Sequence, residues 1–233
     1  TQVGKNWYPV QNEEAFEFFS EYCLEGSMEM HTAGSLKGGK MVWGLAKVKG
    51  VFEAVKGDPV EQFFLFSNPH EYGKAIDIRF TPIRVVCNNT LSMALASVKN
   101  TGVKLNHRKV FDPEMVKEHM GIADEKFAKY KEVAQYLASK NFKAEALIQY
   151  YNEVFPRTYQ GKEEVIVKTS DDLTSNGQKA FEFLETQPGA EFGKGTWWQA
   201  LNSVTYLTDH EMGREADSRM TSAWFGANQT RKI

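Results

Sequence analysis

At 233 residues, with 42% apolar and 25% charged side chains, the chain has the ordinary composition of a soluble globular protein of one large or two small domains. Its net charge of -2 gives no average attraction to nucleic acid, so such a role requires basic residues gathered on one face. No apolar run approaches the roughly 20 residues of a membrane span. The two cysteines, Cys23 and Cys87, are too few for a disulfide scaffold and fit a reducing cytoplasm as buried thiols. Aromatic residues reach 13%, which suits a large core, an interface or stacking surfaces for bases.

In chain order, Asn12 can cap a first helix, with Glu13 and Glu14 at its positive end. Ala15, Phe16, Phe19, Cys23 and Leu24 give it an apolar face, and Gly26 ends it. A hairpin follows: Met28, Met30 and Thr32 alternate with Glu29 and His31, and Lys37-Gly38-Gly39-Lys40 makes the turn. The return strand carries Met41, Trp43, Leu45 and Val48, and Gly57-Asp58-Pro59 breaks the chain again. Phe63-Phe64-Leu65-Phe66 reads as a central strand buried on both sides. After a turn over Asn68–Gly73, a fourth strand alternates Ile76, Ile78 and Phe80 with Asp77, Arg79 and Thr81, and Pro82 interrupts it at a bulge or edge.

Arg84-Val85-Val86-Cys87-Asn88-Asn89-Thr90 then joins strand to helix. Asn89 or Thr90 can cap that helix, on which Leu91, Ala94, Leu95 and Val98 share a face. Lys104, His107, Arg108 and Lys109 follow as a compact basic cluster. From Asp112 the period becomes helical, with stripes Phe127, Tyr130, Ala134, Leu137 and Leu147, Ile148, Tyr151, Phe155. Asp172 or Ser170 caps a helix bearing Ala180, Phe181 and Leu184, which Gln187-Pro188-Gly189 stops. Thr196 caps one bearing Trp197, Leu201, Val204 and Leu207, and a short last helix holds Met220, Ala223, Trp224 and Phe225. The expected fold is α+β: residues 1–110 form a twisted antiparallel sheet with flanking helices, and residues 111–233 a helical region packed on it.

Arg84, Asn88 and Asn89 concentrate hydrogen-bonding capacity at a helix start, where free N–H groups and the helix dipole favour anions. The alternative is a capped helix with an arginine tying strands together. Lys37, Lys40, Lys47 and Lys49 on the hairpin, with Lys99, Lys104, Arg108 and Lys109 after the junction, would make a groove for a phosphodiester backbone if they converge. Trp43, Phe80 or Trp7 could stack bases beside it; otherwise these lysines are a solvated surface over an aromatic core. Cys87 with His70 or His107 is read as a small buried thiol rather than a nucleophile, since no base and orienting group can be matched to it. Asn202, Tyr206, Asp209 and His210 share a helical face by spacing, but a carboxylate and an imidazole alone do not make a metal site.

Trp7-Tyr8-Pro9-Val10-Gln11-Asn12-Glu13-Glu14-Ala15-Phe16, Thr32-Ala33-Gly34-Ser35-Leu36 and the stretch from Thr81 to Leu95 resemble segments of domain-of-unknown-function family 932, phage- and plasmid-encoded proteins. So do Trp197, Ala200, Asn202-Ser203-Val204-Thr205, Asp209-His210 and Phe225-Gly226. The chain departs at Pro69-His70-Glu71-Tyr72-Gly73, where family members often carry His-Asp-Gly. The phage setting implies DNA handling in a host cytoplasm. The order helix, antiparallel strands, helix is similar at fold level to single-strand annealing proteins of the Red-beta and RecT type. The resulting expectation is a phage-derived nucleic-acid-binding protein acting in single-stranded DNA annealing and recombination. It would be a homo-oligomer with no catalytic centre, cofactor, metal or membrane partner. Its expected contacts are Lys37, Lys40, Arg84, Asn88, Asn89, Lys104, Arg108 and Lys109. The alternative is a phage host-takeover module that binds a protein partner and no nucleic acid.

Overall fold

The computed structural model describes residues 9–24, 28–86, 89–90, 102–107, 127–157, 167–213 and 215–225. Helix α1 spans Asn12–Leu24 with Glu13 and Glu14 in its first turn, where a negative charge meets the positive end of the helix dipole. Strands β1 (Met28–Leu36) and β2 (Met41–Glu53) pair antiparallel, with Leu36 opposite Met41 and Met28 opposite Val48. Between them Lys37, Gly38 and Gly39 all take positive φ, at 54°, 64° and 86°. Two glycines in succession make that reversal accessible.

Strand β3 (Pro59–Pro69) is buried almost without interruption from Gln62 to Pro69, the pattern of a strand covered on both faces. Strand β4 (Ala75–Arg84) continues through Pro82 rather than stopping there. Its ladder with β6 (Gly102–Asn106) ends at the Arg79–Gly102 pair. Pro82 lies beyond that ladder. Asn89–Thr90 form a two-residue strand, β5. The strand order is β1-β2-β3-β4-β5, with β6 also pairing with β4. The helix expected from Leu91 lies outside the described residues, as does the side chain of Asn89.

Helix α2 is described over 127–138. Then come α3 (Ala144–Val154), α4 (Ser175–Thr186), α5 (Trp197–Tyr206) and α6 (Ala216–Phe225). The cap of α4 is Thr174, whose hydroxyl accepts from the N–H of Gly177 at 3.3 Å. Asp172 instead closes a 3-10 turn (Ser170–Asp172) by accepting from the N–H groups of Lys168 and Thr169. Thr196 precedes α5 but donates its hydroxyl back to the carbonyl of Gly193, leaving no side-chain cap there.

The chain forms two compact units that interleave along the sequence. The first comprises Thr1–Val51, Glu61–Ile83 and Leu95–Lys129; the second comprises Phe52–Val60, Arg84–Ala94 and Tyr130–Ile233. In the first, α1 packs on the sheet through Ala15 and Phe16 against Met28, Ala46, Phe64, Phe66, Ile76 and Ile78. Phe16 meets Phe66 edge-on at 5.3 Å, a favoured aromatic geometry. In the second, Leu147, Ile148, Tyr151 and Phe155 of α3 and its end pack with Ala180 and Leu184 of α4 and Ala200 and Val204 of α5. All four residues of the expected α3 stripe thus lie in one core. Within that core the Tyr151 and Ser203 hydroxyls meet at 2.7 Å. Gln199 donates to the carbonyls of Leu184 and Ala190 and accepts from the N–H of Gly195. An unpaired amide here would cost about 1–3 kcal/mol.

Candidate nucleic-acid interface

At one end of the sheet, β1 turns into β2 and β3 turns into β4. Antiparallel pairing brings the two turns side by side. The N–H of His70 donates to the carbonyl of Lys40 at 2.8 Å, and Lys37 Nζ donates to the Glu71 carboxylate at 3.1 Å. The second turn is closed by Lys74 N–H on the Glu71 carbonyl at 3.1 Å. Strand β6 ends at the same level, Asn106 pairing with Ala75 and Lys104 with Asp77. Lys37, Lys40, Lys74 and Lys104 are therefore drawn from three chain segments to one end, and all four are exposed. Asp77 is bound by Arg79 through both carboxylate oxygens, so its charge is answered within β4.

Behind this end lies a polar buttress. Buried His107 accepts from the N–H of Val10 at Nδ1 and donates from Nε2 to the carbonyl of Pro69 at 3.1 Å. This pairing requires the neutral Nε2–H tautomer, and burial pushes the imidazole below its ordinary pKa, with the carbonyl of Pro69 opposing. Asn68 donates to the carbonyl of Val10 and to Asn12 Oδ1, each at 3.0 Å, and His70 Nε2 lies 2.9 Å from that same oxygen. The start of α1, with its acidic Glu13 and Glu14, is thereby fixed beside the second turn.

The other expected contacts are placed differently. Lys47 donates to Glu61 at 2.7 Å, and a strand rise of about 3.3 Å per residue puts it about 23 Å along β2 from Lys40. Lys47 and Lys49 do not converge with the turn lysines. Trp43 is only 7% exposed and cannot receive a base. Half-buried Phe80 lies between Phe64 and Phe127, at 6.4 and 5.7 Å. Trp7, Cys87, Asn88, Lys99, Arg108 and Lys109 lie outside the described residues, as does the side chain of Cys23.

Arg84 corrects the expectation of a surface contact. It is 1% exposed and faces Asp58, which is 0% exposed. Its Nε donates to both Asp58 oxygens, at 2.7 and 2.9 Å, and Nη2 donates to the carbonyl of Gly189 at 2.8 Å. Trp198 Nε1 donates to Asp58 Oδ2 at 2.7 Å. This pair ties the Gly57–Pro59 break, the end of β4, the turn after α4 and the first turn of α5 into one buried assembly. An arginine so committed offers nothing to a phosphate.

The face shared by Asn202, Tyr206, Asp209 and His210 is also broken up. Leu207–Glu211 form a π-helical turn, which changes the angular spacing on which the face depended. Asn202 is fully buried and donates to the carbonyl of Trp198 at 2.8 Å, while His210 packs against the Tyr206 ring at 4.9 Å. Among the described residues no three of His, Cys, Asp and Glu gather as a metal site would require.

A family model described as Domain of unknown function (DUF932) matches residues 1–224. The chain belongs to this family. No curated protein matches it, and no solved structure does. Among the described residues of this DUF932 chain, no helix is long and apolar enough to cross a membrane. One feature of the basic end escaped the sequence reading: Tyr72, in the second turn, is 72% exposed. Its signal was an aromatic residue set inside an otherwise polar turn, next to Gly73.

Proposed function

We propose that this DUF932 chain binds single-stranded nucleic acid through the basic end of its sheet. The activity we assign to it is annealing and recombination of single-stranded DNA, by a phage-derived homo-oligomer in the host cytoplasm. The observation that carries the binding reading is the convergence of Lys37, Lys40, Lys74 and Lys104 on one end of an otherwise slightly acidic protein. Annealing breaks no covalent bond. It needs a surface that holds the backbone by counterion release and leaves base edges outward, repeated by assembly. The alternative, a protein-binding module, draws support from Val85 and Val86, adjacent and 41% and 36% exposed, and from the burial of Arg84.

The test is fluorescence anisotropy of a labelled dT oligonucleotide across a salt series. The log–log slope should be about -0.7 per phosphate neutralised. The double variant Lys37→Ala, Lys40→Ala should bind more weakly to all base sequences, with the slope flattened by about 1.4. Its stability should move little, because the Lys37–Glu71 pair is 39% and 30% exposed and such pairs contribute about 0–1 kcal/mol. An unchanged slope in the variant removes the turn lysines from the site.

A further inference from the structure

We propose that His107 is an acid-sensitive latch, which holds the segment entering α1 against the sheet and releases it when the imidazole takes up a proton. The inference stands apart from the binding reading above. Val10 is gripped on both of its backbone groups by side chains distant in the sequence. Its N–H donates to His107 Nδ1 at 3.4 Å, and its carbonyl accepts from Asn68 Nδ2 at 3.0 Å. All three residues are buried. His107 Nε2 lies 3.1 Å from the carbonyl of Pro69. A carbonyl only accepts, so Nε2 carries the ring's hydrogen and Nδ1 stays bare. A proton on Nδ1 sets two N–H groups head to head and places a charge in a buried position.

The surroundings act on that charge in both directions. Burial lowers the His107 pKa; the Pro69 carbonyl works against this, and the nearby His70 ring adds to it. Carboxylates on the neighbouring elements are engaged elsewhere: Glu71 with Lys37, Asp77 with Arg79 and Glu14 with the N–H of Gln11. Glu13, Lys74 and Lys104 are exposed. His70 donates from Nε2 to Asn12 Oδ1, a bond that its own protonation preserves. The step is therefore assigned to His107. Once Val10 lets go, the ring returns to the ordinary histidine range near about 6.5. The released state then binds the proton more readily than the closed one. The closed state is fully favoured above about pH 6.5 and loses ground below it, by up to about tenfold per pH unit, until the closed ring itself titrates.

The test is amide exchange of Val10 in the intact chain, followed by NMR from about pH 7.5 to about pH 5 and corrected for the intrinsic pH dependence of exchange. Protection should be level above about pH 6.5 and fall below it by up to about tenfold per unit. His107→Asn puts an amide oxygen where Nδ1 stood and does not titrate, so its Val10 protection should show no such step. A level profile in the intact chain overturns the proposal, and so does a step that persists in His107→Asn. The nitrogen chemical shifts of the His107 ring give a second measurement on the intact chain, decisive even where His107→Asn does not fold. They should report hydrogen on Nε2 at neutral pH and a titration below about 6.5. Hydrogen on Nδ1, or a titration at or above that value, overturns the proposal.

Discussion

Asp58→Ala should lower the midpoint for unfolding of the second unit by about 10 °C. The variant removes the carboxylate that receives Arg84 Nε and Trp198 Nε1, both in a region with 0–1% exposure. Breaking a buried ion pair from one side leaves an uncompensated charge and costs about 3–5 kcal/mol. For a chain of this size each kcal/mol moves the midpoint by about 2–4 °C. The discriminating comparison is the double variant Asp58→Leu, Arg84→Met. Removing both charges leaves apolar groups of similar volume and should recover much of the loss, since the desolvation penalty goes with them. The measurement is thermal unfolding followed by circular dichroism. A single Asp58→Ala variant as stable as the intact chain would mean that Arg84 reaches solvent or another partner.

Gly189→Ala should destabilise the same unit by about 2–5 kcal/mol. Two costs add. Gly189 takes φ 76°, where a Cβ costs about 1–2 kcal/mol. That Cβ would also lie 2.9 Å from both Arg84 Nη2 and Val86 Cγ1. An arginine end could normally swing away, but this one is held by Asp58 and by the carbonyl of Gly189 itself. Overpacking of this kind costs about 1–3 kcal/mol. Gly195 supplies an internal control: its φ is 79°, yet nothing lies within 4 Å of its would-be Cβ. Gly195→Ala should therefore show the backbone cost alone. Denaturant unfolding of the two variants gives the difference, and equal destabilisation would remove the steric part of the argument.

What the sequence made legible was local. The alternation over Met28–Leu45, the double glycine at Gly38-Gly39 and the unbroken Phe63–Phe66 run each encode their own strand or turn. The helical stripe Leu147, Ile148, Tyr151, Phe155 encodes one face of a helix and its end. Together these yield the α+β fold, because period and turn chemistry are carried by neighbouring residues. The partners of Arg84 were not legible. Asp58 is 26 residues before it, Gly189 is 105 after it, and Trp198 is 140 from Asp58. Read locally, an arginine beside two asparagines looks like an anion site; only the fold supplies the carboxylate that claims it. Lys104 was read as part of a basic cluster, but Gly102–Asn106 is too short for its alternation to stand out as strand β6. The same pairing brings it level with the lysine turns. Of the stacking candidates that are described, Trp43 is buried and Phe80 half-buried, whereas the most exposed aromatic ring among the described residues, Tyr72, sits in a turn.

The central claim is that the basic end of the sheet holds a single strand of nucleic acid. Its most direct test is the native mass of the intact chain, at low salt, with and without a dT oligonucleotide. The account predicts a complex whose mass includes the oligonucleotide and more than one copy of the chain, and which dissociates as salt is raised. A mass unchanged by the oligonucleotide at low salt would contradict it and move the protein-partner reading ahead.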